Sequence, residues 1–388
     1  MNASSCSPAA PNAPHAAPAP FARHGMVALL GEHASPDSNW GVLRVHGADA
    51  TAFLHAQLSN DVAHMPENAA RLAAWCNAKG RMLASFIVVR TQPVDGNSAY
   101  WLLCRRDVLE PVIKKLRMYV LRSKVLIEDA SQQVAVYGLL GDSALHLWQA
   151  HGGATTPQQP WQPWQCLHVH EAGGSRHLVG LYPATMQPGA PADAPLGAMP
   201  RLLCLQSAAL PAPVQASAQA ECLPLAQWEW TEAASGVATI EHACSELFVP
   251  QMLNFESVGG VSFKKGCYPG QEVVARSQFR GAIKRRGYIA TAHASCLDAV
   301  QALAGQEVWW VPTPAAAQSA TATPAMDAPE SCGTVAQAAC WGAHCALFIS
   351  LQIHAAEAVQ AGQGSLHVGS DAGIKLQLHP LPYDFAEV

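Results

Sequence analysis

Little in this 388-residue chain is charged. Lys, Arg, Asp and Glu make up 13% of it against 50% hydrophobic residues, and the formal net charge is −5. Such mild acidity excludes global electrostatic adhesion to nucleic acid. The hydrophobic content excludes a chain that stays unfolded. No apolar run reaches the length of about 18 residues that a membrane-spanning helix needs. Residues 1–25, MNASSCSPAAPNAPHAAPAPFARHG, have no apolar core and are broken by prolines. They are expected to be a disordered tail on a cytoplasmic protein, neither signal peptide nor transit helix. The 12 cysteines include no C-x-x-C pair and no clustered Cys/His spacing of the zinc type. Most lie in apolar runs such as YWLLC and RLLCL. They are expected to be small buried hydrophobes in a reducing compartment, not a disulfide framework. A Gly-rich nucleotide loop is also missing.

What is present is enough chain for two or three domains, each able to bury a core. Three Ala/Pro/Gln-rich stretches, near 155–163, 183–220 and 312–329, interrupt it. Their composition predicts loops inserted into a framework. A strand is expected at Trp40–Val45, a helix at Asp49–Leu58, and two β segments in 71–90 around the turn Asn77–Gly80. Asp107, with Glu110 three residues on, predicts a capping box for a helix with Val108, Val112, Leu116 and Val120 on one stripe. KVLIED and VAVYGLL read as strands, and Ala144–Ala150 as a short helix. Sequential short strands fill the last hundred residues and predict a small β-barrel. The fold class is therefore α+β. The expected divisions are the tail, an α+β block over 26–135, a second α+β region over 136–280 carrying the insertions, and a barrel over 281–388.

The densest chemistry is KGCYPGQEVVAR, Lys265 to Arg276. Gly266 and Gly270, with Gly259 and Gly260 upstream, permit backbone shapes closed to other residues. Pro269 either biases Tyr268 away from helix or opens a helix at its first position. Cys267 then stands just before a helix N-terminus with Lys265 two residues away, and both features favour a thiolate. A buried turn cysteine is the alternative. Residues 264–286 carry seven basic side chains (264, 265, 276, 280, 284, 285 and 286) and one acid, Glu272. That excess would attract an anionic ligand, and Phe263, Tyr268 and Phe279 could stack a flat ring or base. A solvated basic loop is the bland reading.

This region, FVPQMLNFESVGGVSFKKGCYPGQEVVARSQFRGAIKR, resembles the signature of the YgfZ proteins. Lys265, Gly266, Cys267, Tyr268, Gly270, Gln271, Glu272, Ala275 and Arg276 match the hallmark. The likeness extends through VHGADATAFLHAQLSNDV, CNAKGRMLASF and LRMYVLRSKVLIED. The resemblance implies a fold like the glycine cleavage T-protein (aminomethyltransferase), a multi-domain ring around a folate pocket with a C-terminal β-barrel. It implies a tetrahydrofolate-binding accessory protein of iron–sulfur cluster assembly or repair, supporting iron–sulfur enzymes that include tRNA-modifying ones. Cys267 would be the functional thiol or a transient cluster ligand, with Lys265 and Glu272 beside it. Gly266, Tyr268, Gly270, Gln271 and Arg276 would shape the loop. Asn77, Lys79, Gly80, Arg81, Ser85 and Arg276 would face the folate. Two departures bear on activity. The acid that follows the T-protein's glycine turn has Ser85 as its nearest counterpart, and no Asp or Glu occurs from Asn68 to Val94. The T-protein's P-V-E run becomes Pro250-Gln251-Met252. Aminomethyl transfer by that route needs those carboxylates. A folate-dependent aminomethyl or methyl transferase and a tRNA-binding module are the competing readings.

Overall fold

A computed structural model describes residues 20–66, 68–155, 161–185, 188, 198–213, 221–279, 283–293, 303–313 and 328–386. Side-chain alternation along its strands sets the layers. The first sheet contains β2 (Trp40–His46), β3 (Arg71–Cys76), β4 (Met82–Val94), β5 (Asn97–Arg105) and β6 (Leu126–Asp129), in the order β3-β4-β5-β2-β6. In β5, Tyr100, Leu102 and Cys104 face one core while Trp101 and Leu103 face another. Both faces are therefore buried, as period-two geometry requires of a near-continuous apolar strand. Helices α1 (Ala50–Gln57) and α2 (Arg106–Arg117) cover the outer face. The expected stripe is there: Val108, Val112 and Leu116 are buried, while Val120 lies past the helix end and packs against the same core.

The second sheet has β1 (Gly25–Leu30), β7 (Val134–Leu140), β8 (Cys166–Glu171), β9 (Gly174–Gly180) and β10 (Arg201–Ser207), in the order β1-β7-β10-β9-β8. Helix α3 (Gly141–Ala150) covers one face. The other face meets the first sheet across the main core, where Val136, Leu203 and Leu205 oppose Val42, Ile87 and Leu103. After α4 (Leu225–Ala233) come two 3-10 turns, His242–Cys244 and Pro250–Leu253, and then α5 (Gln271–Phe279). The remainder is a closed barrel, β11-β14-β13-β12-β15-β16, from β11 (Arg285–His293), β12 (Glu307–Pro312), β13 (Glu330–Trp341), β14 (His344–Gln352), β15 (Gly364–Val368) and β16 (Ile374–His379), with α6 (Ile353–Gln360) before β15. Barrel residues Ile289, Ala336, Trp341 and Phe348 extend the main core. Among the described residues no helix is long and apolar enough to cross a membrane.

Several expectations are corrected. Residues 1–19 lie outside the described residues, but the rest of the expected tail is used: Phe21 packs edge-on against Trp230 and Trp341. Strand β1 pairs antiparallel with β7, so residues 26–30 belong to the second sheet rather than to the first block. RLLCLQS, inside the stretch read as an insertion, is β10 at the centre of that sheet. A short apolar run flanked by proline-rich sequence was overridden by its burial between two strands. Trp161, in another such stretch, packs on Trp148 and donates to Leu181 O at 3.1 Å. The third stretch falls outside the described residues at 314–327. Asp107 does not cap α2. Asn39 accepts from its backbone N–H at 3.0 Å, and the Asp107 carboxylate accepts from His242 N at 3.0 Å. The cysteines are not all reduced: Cys340 and Cys345, register partners across the β13–β14 hairpin, form a disulfide.

Arg105, at the end of β5, joins the units. It is 2% exposed, donates to Glu232 at 3.0 Å and Thr239 at 3.2 Å, and stacks over Trp40 at 4.4 Å. Arg105→Met would leave Glu232 buried without its cation, and stability should fall by about 3–5 kcal/mol. Adding Glu232→Gln should recover part of that loss in urea unfolding. Full additivity of the two changes would deny the coupling.

Candidate functional site

The motif folds as an interlocked turn. Gly270 has φ +78°, and a Cβ there would meet Asn77 O at 2.4 Å and Gly80 Cα at 2.6 Å. This contact presses the motif onto the β3–β4 turn, and only glycine permits it. Gly266 has no such constraint, because its nearest neighbour would be His55 Nε2 at 3.9 Å. Tyr268 is buried, and its carbonyl accepts from Gln271 N as α5 begins. Pro269 therefore precedes the helix. Cys267 is exposed and free, which answers the choice between turn filler and accessible thiol in favour of the second.

Lys265 turns inward. Its Nζ donates to the carbonyls of His55 and Leu58 and sits 4.9 Å from the Tyr268 ring. Burial lowers its pKa to about 8, while Asp61 and Cys267 pull it back up. It acts as a cross-brace between the motif and the end of α1. Glu272 and Arg276 pair with each other on the outside of α5 at 2.7 Å, both largely exposed. Gln271 opens that helix. The basic run is divided: Arg286 is buried against Glu256 and Phe385, Lys265 is buried, and Arg280 lies outside the described residues. Of the three aromatics, Tyr268 is internal, and Phe263 meets Phe279 edge-on at 5.3 Å.

The turn residues are tied into the same unit. Asn77 accepts from Lys79 N and Arg81 N at 2.9 and 3.0 Å and donates to Glu246 at 3.0 Å. Arg81 donates to Leu247 O. Ser85 is buried and accepts from Ile240 N at 2.9 Å. Gln251 donates to Val274 O at 2.8 Å, fastening the second 3-10 turn to α5.

A separate small crevice of about 30 Å³, room for roughly one or two waters, lies between the two sheets and α4. Its walls include Trp40, Leu72, Ile87, Trp164 and Tyr182, with Arg201, Glu232 and Thr239 as polar groups. None of Asn77, Lys79, Gly80, Arg81, Ser85 or Arg276 lines it. Sequence reasoning missed these wall residues, since they are scattered along the chain from Trp40 to Thr239. It also missed the carboxylates. Glu232 lines the cavity, and Glu229 and Glu241 lie in the field of Arg105. Burial, reinforced by Glu232 and Glu241, raises the Glu229 carboxyl to about 7 against the pull of Arg105. Trp40 Nε1, buried, has no hydrogen-bond partner among the described residues. The crevice thus has aromatic walls, three polar side chains and an unused donor.

Residues 37–172 match the family described as the GCVT N-terminal domain. The glycine cleavage system aminomethyltransferase T from Bartonella henselae superposes with a TM-score of 0.57, covering 93% of this chain and 86% of that one at 11% identity. The chain thus has the aminomethyltransferase T fold. The tRNA-modifying protein YgfZ of Escherichia coli (strain SMS-3-5 / SECEC) is 32% identical over 263 residues, 67% of this chain and 72% of that protein. The protein of the same name from Shigella boydii serotype 18 gives the same figures. This chain belongs to the YgfZ family.

Two measurements check the site. Under native conditions the parent should show one more fast-reacting thiol than Cys267→Ala, because burial keeps Cys76 and Cys244 protonated with pKa values of about 12. Equal labelling of the two proteins would contradict an accessible Cys267. The second concerns Glu229. Its folded pKa of about 7 exceeds the ordinary 4.5. The fold binds that proton more tightly than the unfolded chain does, so this contribution is complete below pH 4.5 and lost as pH rises through 7. Glu229→Gln should flatten that loss and be more stable than the parent at pH 8, by up to roughly 3 kcal/mol. Denaturant unfolding at pH 5 and pH 8 reads the difference.

Proposed function

We propose that this chain is a tetrahydrofolate-binding accessory protein that supports tRNA modification through iron–sulfur cluster assembly or repair. The observation that carries the reading is the presentation of Cys267. The one exposed free thiol among the described cysteines sits on a turn locked by the Gly270 contact and braced by Lys265. A cluster ordinarily takes four protein thiolates. Cys267 would therefore act as a single ligand, or as a redox thiol, in a complex whose partner supplies the rest. The relatives' name, tRNA-modifying protein, supports the end use.

The folate in this reading enters at the crevice rather than at the β3–β4 turn, and the aromatic walls part to admit its ring. Trp40, Trp164 and Tyr182 would hold the ring, and Arg201, Glu232 and Trp40 Nε1 would meet its polar edge. Bound tetrahydrofolate supplies a reduced pterin able to carry one-carbon units. Glu232 is engaged with Arg105, and Ser85 and Met252 stand where transfer chemistry wants acids, which favours binding over transfer. Division of the basic run by burial likewise weighs against direct tRNA binding.

Calorimetric titration with tetrahydrofolate should give equal affinity for the parent and Cys267→Ala and at least about tenfold weaker binding for Tyr182→Ala. Cells relying on Cys267→Ser should lose activity of iron–sulfur tRNA-modifying enzymes while retaining the folate site. Full activity with Cys267→Ser would remove the thiol from the function, and unaltered folate binding by Tyr182→Ala would remove the cavity.

A further inference from the structure

We propose that Cys166, His168 and His177 form a metal site for a borderline-soft divalent cation of the zinc type. The site lies on the β8–β9 hairpin, apart from Cys267. Cys166 and His168 are two residues apart on β8 and so share a face. His168 and His177 are direct register partners across the hairpin. The topology thus gathers what the linear spacing hid. The two Nδ1 atoms approach to 2.7 Å, and all three donor atoms lie within 4.8 Å of one another. Zinc–nitrogen and zinc–sulfur bonds place tetrahedral neighbours about 3.3–3.6 Å apart. The separations in the structure, from 2.7 Å to at most 4.8 Å, bracket those values.

The surroundings point the donors inward. Ser175 Oγ lies 3.2 Å from His177 Nε2. By accepting that N–H it leaves the Nδ1 lone pair directed at the other two donors, the outer-sphere role such partners play at zinc. Trp101 packs edge-on against the His177 ring at 5.2 Å and limits its rotation. Cys166 and His177 are buried and His168 is half-buried, so the donor set is dry on one side and reachable from the other. A histidine pair sharing one proton would account for the short Nδ1 contact alone. The thiol in the same cluster adds a soft donor that such a pair does not use, and one sulfur with two imidazoles is a zinc-type set. Binding replaces the thiol proton and the proton between the rings, which leave to solvent. His170, the next residue on that face, is held by the Gln92 side chain at 3.0 Å. Water or His170 takes the fourth position.

The test uses the full chain stripped with a chelator and titrated with Co²⁺ as the probe, then with Zn²⁺. One equivalent of Co²⁺ should give tetrahedral visible bands and a thiolate charge-transfer band, and Zn²⁺ should bleach both. Cys267→Ala should leave them unchanged. Cys166→Ser should lose the charge-transfer band. His168→Gln, at a half-buried position that circular dichroism can confirm as folded, should weaken binding at least tenfold. Ser175→Ala should weaken it about 10–100-fold. The proposal is overturned if no bands form, if they survive His168→Gln, or if Cys267→Ala abolishes them.

Discussion

The buried pair of Arg105 and Glu232 is the constraint on which the arrangement of units rests. A guanidinium at 2% exposure is costly unless its charge is met. Here Glu232 comes from α4, Thr239 from the segment that follows, and the Trp40 face from β2. Burial pushes the Arg105 pKa down, and the fields of Glu232, Glu241 and Glu229 more than reverse it. A second buried arginine, from the opposite sheet, differs: Arg201 stacks on Trp228 at 4.6 Å and donates to Thr231 at 3.0 Å, and burial lowers its pKa to about 10 against the field of Glu232. Helix α4 is thereby clamped between the sheets, and Thr239 N donates to Gln337 of the barrel at 3.4 Å. Charge satisfaction, rather than apolar burial alone, fixes how the three units meet.

That clamp explains why a cavity survives at the junction. Two sheets meeting across a shared core would close completely if apolar side chains alone filled it. Arginine, glutamate and threonine at its edge need polar company, which apolar side chains do not supply. The result is a slot with aromatic walls and a polar end.

Much of the fold was legible because strands with both faces buried read as apolar runs and α2 carries a clear stripe. The barrel strands and the turn at Asn77 were visible for the same reason. β10 was not, because its seven residues sit in Ala/Pro-rich sequence and its strand character comes only from the neighbours β7 and β9. The site divided in the same way. Cys267 and Gly270 belong to one contiguous motif and could be found by spacing. Trp40, Trp164, Tyr182 and Glu232 belong to distant segments with no shared pattern. Lys265 and Arg286 looked like surface charge, yet the chain turns them inward to carbonyls and to Glu256. Direction of a long side chain is a tertiary property.

Cavity and thiol are distinct places, yet one segment runs from the cavity wall to the turn against which the thiol's motif is pressed. Residues 239–248 begin at the cavity wall with Thr239, place Glu241 beside Arg105 at 3.6 Å, and are capped at His242 by Asp107. They then bond to the β3–β4 strands through Glu246 N to Met82 O and Met82 N to Phe248 O. The same turn carries Asn77 and Gly80, against which Gly270 is pressed. The steps are backbone hydrogen bonds, one bond from a backbone N–H to the Asp107 carboxylate, an ion pair to the buried Arg105 and a contact with no room for a methyl group. A relay between sites needs an element with two arrangements that each site biases. A segment fastened at this many points is a spacer instead. It holds the β3–β4 turn, and the motif pressed onto it at Gly270, in a fixed place relative to the junction of the two sheets.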